Sequence, residues 1–334
     1  MVKQKEIPCI HIGYAKSGST TLQKQLFSRH PQINYLGTFP RGNIGIDSDY
    51  LDENSVYLAD ENLREFYRNL VMLDRSEYQQ AQNQELFAKH IDNYFTRPGL
   101  PLFSNERFTS VFFAYPDLHE KANRIKTIFP DARILCVIRN QLDLIVSQYR
   151  DHPFDPRNLA KGQPVSIDDW IEIAFSTEDL TFLDTLKYHK VIEIYKYLFG
   201  KENIKILSLE ELAKSPDSFA RQLSEFLGID ADVCLSLLKD KHENRGVSKT
   251  YNHYRIWKRR LELSIRHLGP IPDIIKKYYF NLDHLISERI KTGKKAGYLM
   301  SESWIQELSI YYRKSNRILM NEYQLNLEDY GYPL

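Results

Sequence analysis

Across roughly the first two thirds of the 334 residues, short apolar runs alternate with stretches whose apolar positions recur every three to four residues. That alternation predicts strands joined by crossover helices, the pattern of a parallel sheet. Strands are expected at residues 7–12 (IPCIHI), 100–106 (LPLFSNE), 133–138 (RILCVI) and 204–209 (IKILSL). Helices are expected at 20–29, where Leu22 and Leu26 stand four apart, and at 117–129, 141–150, 180–199 and 218–227. The predicted fold class is therefore α/β: a parallel sheet of at least four strands, flanked by helices. Residues 43–98 are rich in Asp, Glu, Asn, Gln and Tyr, with helical spacing around 58–73 and 78–94. Their aromatic content is too high for a solvated linker, so an inserted helical cap is expected over about 40–98. A mainly helical C-terminal extension over 250–334 completes a chain read as one domain, 1–334.

The first predicted strand runs into Gly13-Tyr-Ala-Lys-Ser-Gly-Ser-Thr-Thr21 and then into a helix. A nucleotide P-loop, G-x-x-x-x-G-K-[ST], wraps phosphate in backbone N–H groups and sends its Lys to the terminal phosphates. Gly13 and Gly18 keep that spacing and Thr20 keeps the hydroxyl, but Ser19 stands in the lysine's place and Lys16 lies three residues earlier. The second feature is Arg139 at the end of the 132–138 run, with Ser147 eight residues on and nearly on the same helix face. An Arg fork at a strand's carboxyl end reads phosphate through charge-assisted, often bidentate bonds. A magnesium NTPase would want an Asp at the end of a second strand, and Arg139 fills that place. Each feature has a plainer reading. The glycine turn could be a tight connection, Arg139 a solvated strand end or ion-pair partner, and Ser147 a helical Ser bonded to its own backbone. It is their order and strand-loop-helix context that favours two separate phosphate grips.

These residues resemble the sulfotransferases that use 3′-phosphoadenosine 5′-phosphosulfate (PAPS). Lys16-Ser-Gly-Ser-Thr-Thr-Leu22 is similar to their 5′-phosphosulfate loop, Lys-x-Gly-Thr-Thr before an apolar helix, and Arg139 with Ser147 matches their clamp on the 3′-phosphate. The resemblance implies PAPS as co-substrate, adenosine 3′,5′-bisphosphate as product, and in-line transfer with no metal and no covalent enzyme intermediate. Lys16 would neutralise the leaving oxygen, while Ser17, Gly18, Ser19, Thr20 and Thr21 hold the 5′-phosphate. The catalytic base of the family comes from the end of the strand corresponding to 100–106, and Glu106 matches the carbohydrate-acting branch. A carboxylate there can take the acceptor hydroxyl's proton, although Glu106 could equally pair with Arg107. Asn244-Arg-Gly-Val-Ser248 loosely resembles the loop that folds over the nucleotide, with Arg245 and Ser248 as its contributors. Residues 291–297 carry a Gly-Lys stretch, and 311–316 and 330–333 resemble the family's closing helix and tail. The acceptor implied is a hydroxyl compound, preferably a saccharide.

Composition narrows the setting. A net charge of +1 argues against a general nucleic-acid binder. No apolar run of about 18 residues suggests a membrane span, and no signal-peptide core follows Met1, so a cytoplasmic enzyme is expected. Cys9, Cys136 and Cys234 lack C-x-x-C spacing, and Cys9 and Cys136 sit in apolar strands as small hydrophobes, which suits a reducing compartment. The basic, aromatic stretch 254–280 suits peripheral membrane contact or an anionic acceptor, but a solvated helix face is the preferred reading. His152 and His11 are read as structural, with His11 held in reserve as a donor contact. Two rivals remain: a P-loop kinase using ATP and magnesium, and a nucleotide-binding module without catalysis.

Overall fold

The computed structural model describes residues 7–38, 60–109, 117–154, 162–176, 182–239, 248–265, 283, 285–286, 289–290 and 300–334. Five strands form one all-parallel sheet in the order β2-β3-β1-β4-β5, with β1 at Cys9–His11, β2 at Ile33–Tyr35, β3 at Leu100–Ser104, β4 at Arg133–Ile138 and β5 at Ile204–Ser208. Cys9 pairs with Leu102 on one side and Arg133 on the other, so the loop after β1 emerges between the ends of β3 and β4. In such a sheet that is where ligands bind. The expected strands are all present; β2, three residues at the sheet edge, is an addition.

Side chains alternate between two apolar layers, as the strand period of two requires. On one face Cys9, Leu102, Leu135, Val137 and Leu207 pack against Leu22, Leu26 and Phe27 and against the helices Pro216–Leu227 and Ala231–Leu238. On the other, Phe103 meets Phe129 at 4.8 Å within an aromatic cluster with Phe66, Phe87 and Phe95 of the inserted segment. The described part of the expected insertion is helical, with Glu61–Val71 capped by Asp60 and Gln80–Leu86 following. Arg124 closes the first of these helices by donating to the Asn69 and Leu73 carbonyls at 2.9 and 2.7 Å. All three cysteines are buried and free; burial pushes the Cys9 thiol up to about 12, so these thiols behave as packing groups.

One expected element is different. The long helix over 180–199 is two helices, Phe182–Thr185 and Tyr188–Phe199. The carbonyls at the break are claimed from elsewhere: Leu183 by the Tyr312 hydroxyl, Thr185 by the Tyr14 hydroxyl, Leu186 by Gln141 Nε2, at 3.0, 3.0 and 3.2 Å. Periodicity cannot register such distant donors.

The described residues fall into two compact units. The sheet belongs to the first, with 1–141, 180–243 and 309–334; the second comprises 142–179 and 244–308. In the second, Ile167–Ser176 buries Trp170 beside Tyr149, and Asn252 of the helix Lys249–Ile265 donates to the Arg150 carbonyl at 3.0 Å. Described cations of that basic helix are used within the unit: Arg255 on the Asp151 carbonyl, Arg259 on the Gly162 carbonyl, Lys258 on Asp283. Among the described residues no helix is long and apolar enough to cross a membrane.

Candidate active site

The loop after β1 is bent by two left-handed residues, Lys16 at φ 68° and Gly18 at φ 81°. Gly18 suits that conformation; Lys16 bears its steric cost. Gly18 then serves as the N-cap of Ser19–Thr21, which continues as a π-helical turn over Leu22–Phe27. The amides of that first turn have no carbonyl one turn back, which leaves N–H groups directed at the loop mouth. Ser17 is fully buried, and its Oγ has no hydrogen-bond partner among the described residues. Tyr14 is pinned beneath the loop by its bond to Thr185 and an edge contact with Tyr188, ring centroids 4.7 Å apart.

Two further strand ends supply charge. At the end of β4, Arg139 donates from Nη1 to the Lys16 carbonyl at 3.0 Å, while its own carbonyl accepts from the Tyr188 hydroxyl at 2.6 Å. Past β3, Asn105 caps a 3₁₀ turn, Glu106–Phe108, accepting from the Arg107 amide at 2.9 Å. This turn is held from below by buried Lys121, whose Nζ donates to the Arg107 carbonyl at 2.9 Å. Half-buried Glu106 hydrogen-bonds the Ser19 hydroxyl and feels the cations of Lys16 and Arg107. Burial lifts its carboxyl above the ordinary value of 4.5, and those three partners only oppose the rise.

Lys16, Ser17, Gly18, Ser19, Thr20, Thr21, Glu106 and Arg139 thus all follow the carboxyl ends of the inner strands β1, β3 and β4, in the first unit. Ser147 lies buried on the helix Gln141–Asp151 and belongs to the second unit. So does Ser248, whose hydroxyl donates to the Ile290 carbonyl and accepts from the Tyr251 amide at 3.0 Å, capping the helix Lys249–Ile265. Arg245 and the 291–297 stretch fall outside the described residues.

Sequence reasoning missed two polar networks. One fixes the C-terminal tail just beyond Arg139. Asn140 donates to the Gly331 carbonyl at 2.6 Å, Gln141 to Asn316 at 2.6 Å, and Asn316 to the Pro333 carbonyl at 2.8 Å. Glu210 accepts from the Asn140 amide and the Tyr332 hydroxyl, at 3.0 and 2.8 Å. The sequence signal was the expected closing helix and tail; their docking partners were not visible. The other is buried at the ends of β1 and β3: Gln23 Nε2 donates to Ser104 Oγ at 2.9 Å, and His11 Nδ1 lies 2.8 Å from the same oxygen.

Residues 8–232, more than half of the chain, match the family model described as "Sulfotransferase family". Among solved structures the chain is similar to a sulfotransferase from Alicyclobacillus acidocaldarius, at 17% identity and TM-score 0.40, covering 78% of this chain and 96% of that one. It is also similar to the sulfotransferase domain of the Synechococcus PCC 7002 olefin synthase, at 16% identity and TM-score 0.40, covering 81% and 98%. Mouse sulfotransferase SULT7A1, complexed with PAP, gives 15% identity and TM-score 0.39 over 72% of this chain and 68% of that one. No curated protein sequence matches significantly. The weight rests on the family match, which spans the loop, Glu106 and Arg139: the chain belongs to the sulfotransferase family, enzymes that draw their sulfuryl group from PAPS.

Proposed function

We propose that this sulfotransferase moves the sulfuryl group of PAPS to a hydroxyl of a saccharide, with Glu106 as base and Lys16 beside the leaving oxygen. The observation that carries the proposal is the placement of Glu106 within reach of both the Ser19 hydroxyl and the Lys16 charge. A base with a raised affinity for protons, next to the cation that stabilises the leaving group, is what in-line transfer needs. The acceptor oxygen attacks sulfur, the bond from sulfur to the phosphate oxygen breaks, and Glu106 takes the acceptor's proton. Lys16 meets the charge growing on the departing phosphate. The amides of residues 18–21 and the Ser17, Thr20 and Thr21 hydroxyls hold the 5′-phosphate.

Arg139 grips the 3′-phosphate through its guanidinium fork. Lys16 and Arg139 supply the positive charge, so no metal enters the reading. Saccharide is preferred because Glu106 occupies the base position of the carbohydrate-acting branch, and a cytoplasmic setting suits three buried free thiols. The test is transfer of labelled sulfate from PAPS to a panel of glycans, phenols and lipids. Glu106→Gln should lower turnover by about 10²-fold or more while adenosine 3′,5′-bisphosphate binding stays near wild type. Equal loss of both would make Glu106 a structural carboxylate, and a phenol or lipid as sole acceptor would overturn the saccharide.

A further inference from the structure

The main chain that carries Arg139 leaves the sheet at its last registered pair, Ile138 with Ser208. Past that pair the backbone groups of β4 find partners outside the ladder, as buried polar groups must. The hydroxyl of fully buried Tyr188 donates to the Arg139 carbonyl at 2.6 Å, and the Asn140 amide donates to Glu210 Oε1 at 3.0 Å. The strand register explains the second bond, because Asn140 and Glu210 each stand two residues beyond the Ile138 and Ser208 pair. That carbonyl and that amide are the two ends of one planar peptide, so both ends of the plane joining residues 139 and 140 are held.

Glu210 lies in the first turn of the helix Leu209–Lys214, which Ser208 caps. Its second oxygen, Oε2, accepts from the Tyr332 hydroxyl at 2.8 Å. Burial pushes the Tyr332 hydroxyl well above its ordinary value of 10, and the Glu210 charge adds to the rise while Arg139 opposes it. Tyr332 is therefore a donor to Glu210 at any working pH. The segment that brings it there is pinned on both sides. Asn140 Nδ2 donates to the Gly331 carbonyl at 2.6 Å, and Asn316 Nδ2 to the Pro333 carbonyl at 2.8 Å, while Gln141 donates to Asn316 at 2.6 Å. Its turn is closed by the Tyr332 amide on the Leu327 carbonyl at 3.1 Å, with Gly331 left-handed at φ 71°. All of these residues belong to the first unit. The tail and its anchor thus converge on the two residues that follow Arg139.

The Arg139 guanidinium shares one N–H with the Lys16 carbonyl, so the rest of its fork is aimed by the main chain beneath it. We propose that Tyr332 is a positioning residue for nucleotide recognition: by holding Glu210 on the Asn140 amide it fixes the peptide plane from which Arg139 reaches the 3′-phosphate, and so sets the preference for a 3′-phosphorylated nucleotide. This rests on the reading of Arg139 as the 3′-phosphate grip.

The test compares two nucleotides on the full chain, adenosine 3′,5′-bisphosphate by direct calorimetry and adenosine 5′-monophosphate, which lacks the 3′-phosphate, by displacement. Tyr332→Phe keeps the buried ring and removes only the hydroxyl, a change that a packed core tolerates. It should weaken the bisphosphate by about three- to tenfold, the worth of one hydrogen bond, and leave the monophosphate within about twofold of wild type. Tyr188→Phe, which frees the other end of the same peptide plane, should narrow the preference by a similar factor. Arg139→Ala is the reference and should lower bisphosphate affinity more than monophosphate affinity.

An unchanged preference in either tyrosine variant overturns the proposal. So does an equal loss of both nucleotides with Tyr332→Phe, which would make the hydroxyl a support of the fold alone. If Arg139→Ala narrows the preference and Tyr332→Phe does not, the grip stands and the tail has no part in it. If Arg139→Ala leaves the preference intact, the grip reading fails and the role of Tyr332 falls with it.

Discussion

Arg139 Nη1 and the Lys16 carbonyl are 3.0 Å apart, so the residue read as the 3′-phosphate grip is tied to the residue read as the leaving-group cation. The sequence presents these as two independent anion sites, 123 residues apart. In the structure the guanidinium spends one N–H on the backbone of the loop's most strained residue, with Lys16 at φ 68°. The position of the Arg139 guanidinium and the shape of the loop after β1 are therefore coupled.

From that coupling, Arg139→Ala should weaken adenosine 3′,5′-bisphosphate binding by about 30- to 100-fold, consistent with about 2–3 kcal/mol for bonds to a charged group. Arg139→Lys should recover only part of the loss, because one ammonium cannot brace the Lys16 carbonyl and grip a phosphate in the fork geometry of Arg. Calorimetry on both variants checks this. Full recovery with Lys would mean that charge alone matters and that the brace on Lys16 is idle.

Lys16→Gly separates charge from conformation. A left-handed L-residue costs about 1–2 kcal/mol, and glycine escapes that cost while giving up some unfolded-state entropy. Thermal stability should thus stay level or rise slightly, whereas sulfuryl transfer should fall by about 10²–10³-fold through loss of the ammonium. A melting scan beside a labelled-sulfate assay decides it. Retained transfer would remove Lys16 from the chemistry.

Gly18 carries a different constraint. At φ 81° any side chain is strained, and an added Cβ would also stand 2.6 Å from Leu209 Cδ1. Gly18→Ala should cost about 2–4 kcal/mol, the sum of left-handed strain and overpacking. Adding Leu209→Ala should relieve the overpacking part only, giving a coupling of about 1–2 kcal/mol in a double-mutant cycle by urea unfolding. Strict additivity would mean that the loop moves aside and that Leu209 does not set its position.

The extent to which this site was legible follows from where its information lies. Gly13 to Thr21 and Arg139 follow directly on apolar runs, and Glu106 stands three residues past one, so local pattern alone locates them at strand ends. β2 escaped because three residues with a half-buried, buried, half-buried pattern give no run to detect. The helix Ile167–Ser176 had a usable signal, Ile167, Trp170, Ile171 and Ala174 at helical spacing, that was not drawn on. The break before Tyr188 and the His11, Ser104 and Gln23 chain depend on partners 45 to 171 positions away, and no local period encodes them. Membership of the sulfotransferase family was readable from these motifs; the buried partners beneath the loop were not.

Glu106 finally gives a stability signature that needs no acceptor. Its folded-state carboxyl lies above the ordinary 4.5, first because of burial, so between 4.5 and its raised value the folded protein holds more protons than the unfolded chain. Stability therefore falls as pH rises through that window, and the penalty is complete above it. Glu106→Gln cannot ionise and escapes the penalty. Relative to wild type, the variant should gain stability progressively from about pH 4 upward and level off once wild-type Glu106 is ionised. Urea unfolding at intervals from about pH 4 to about pH 8 measures the difference. Parallel curves would place Glu106 in an environment no more costly to its charge than water, and would remove the elevated proton affinity on which its role as base depends.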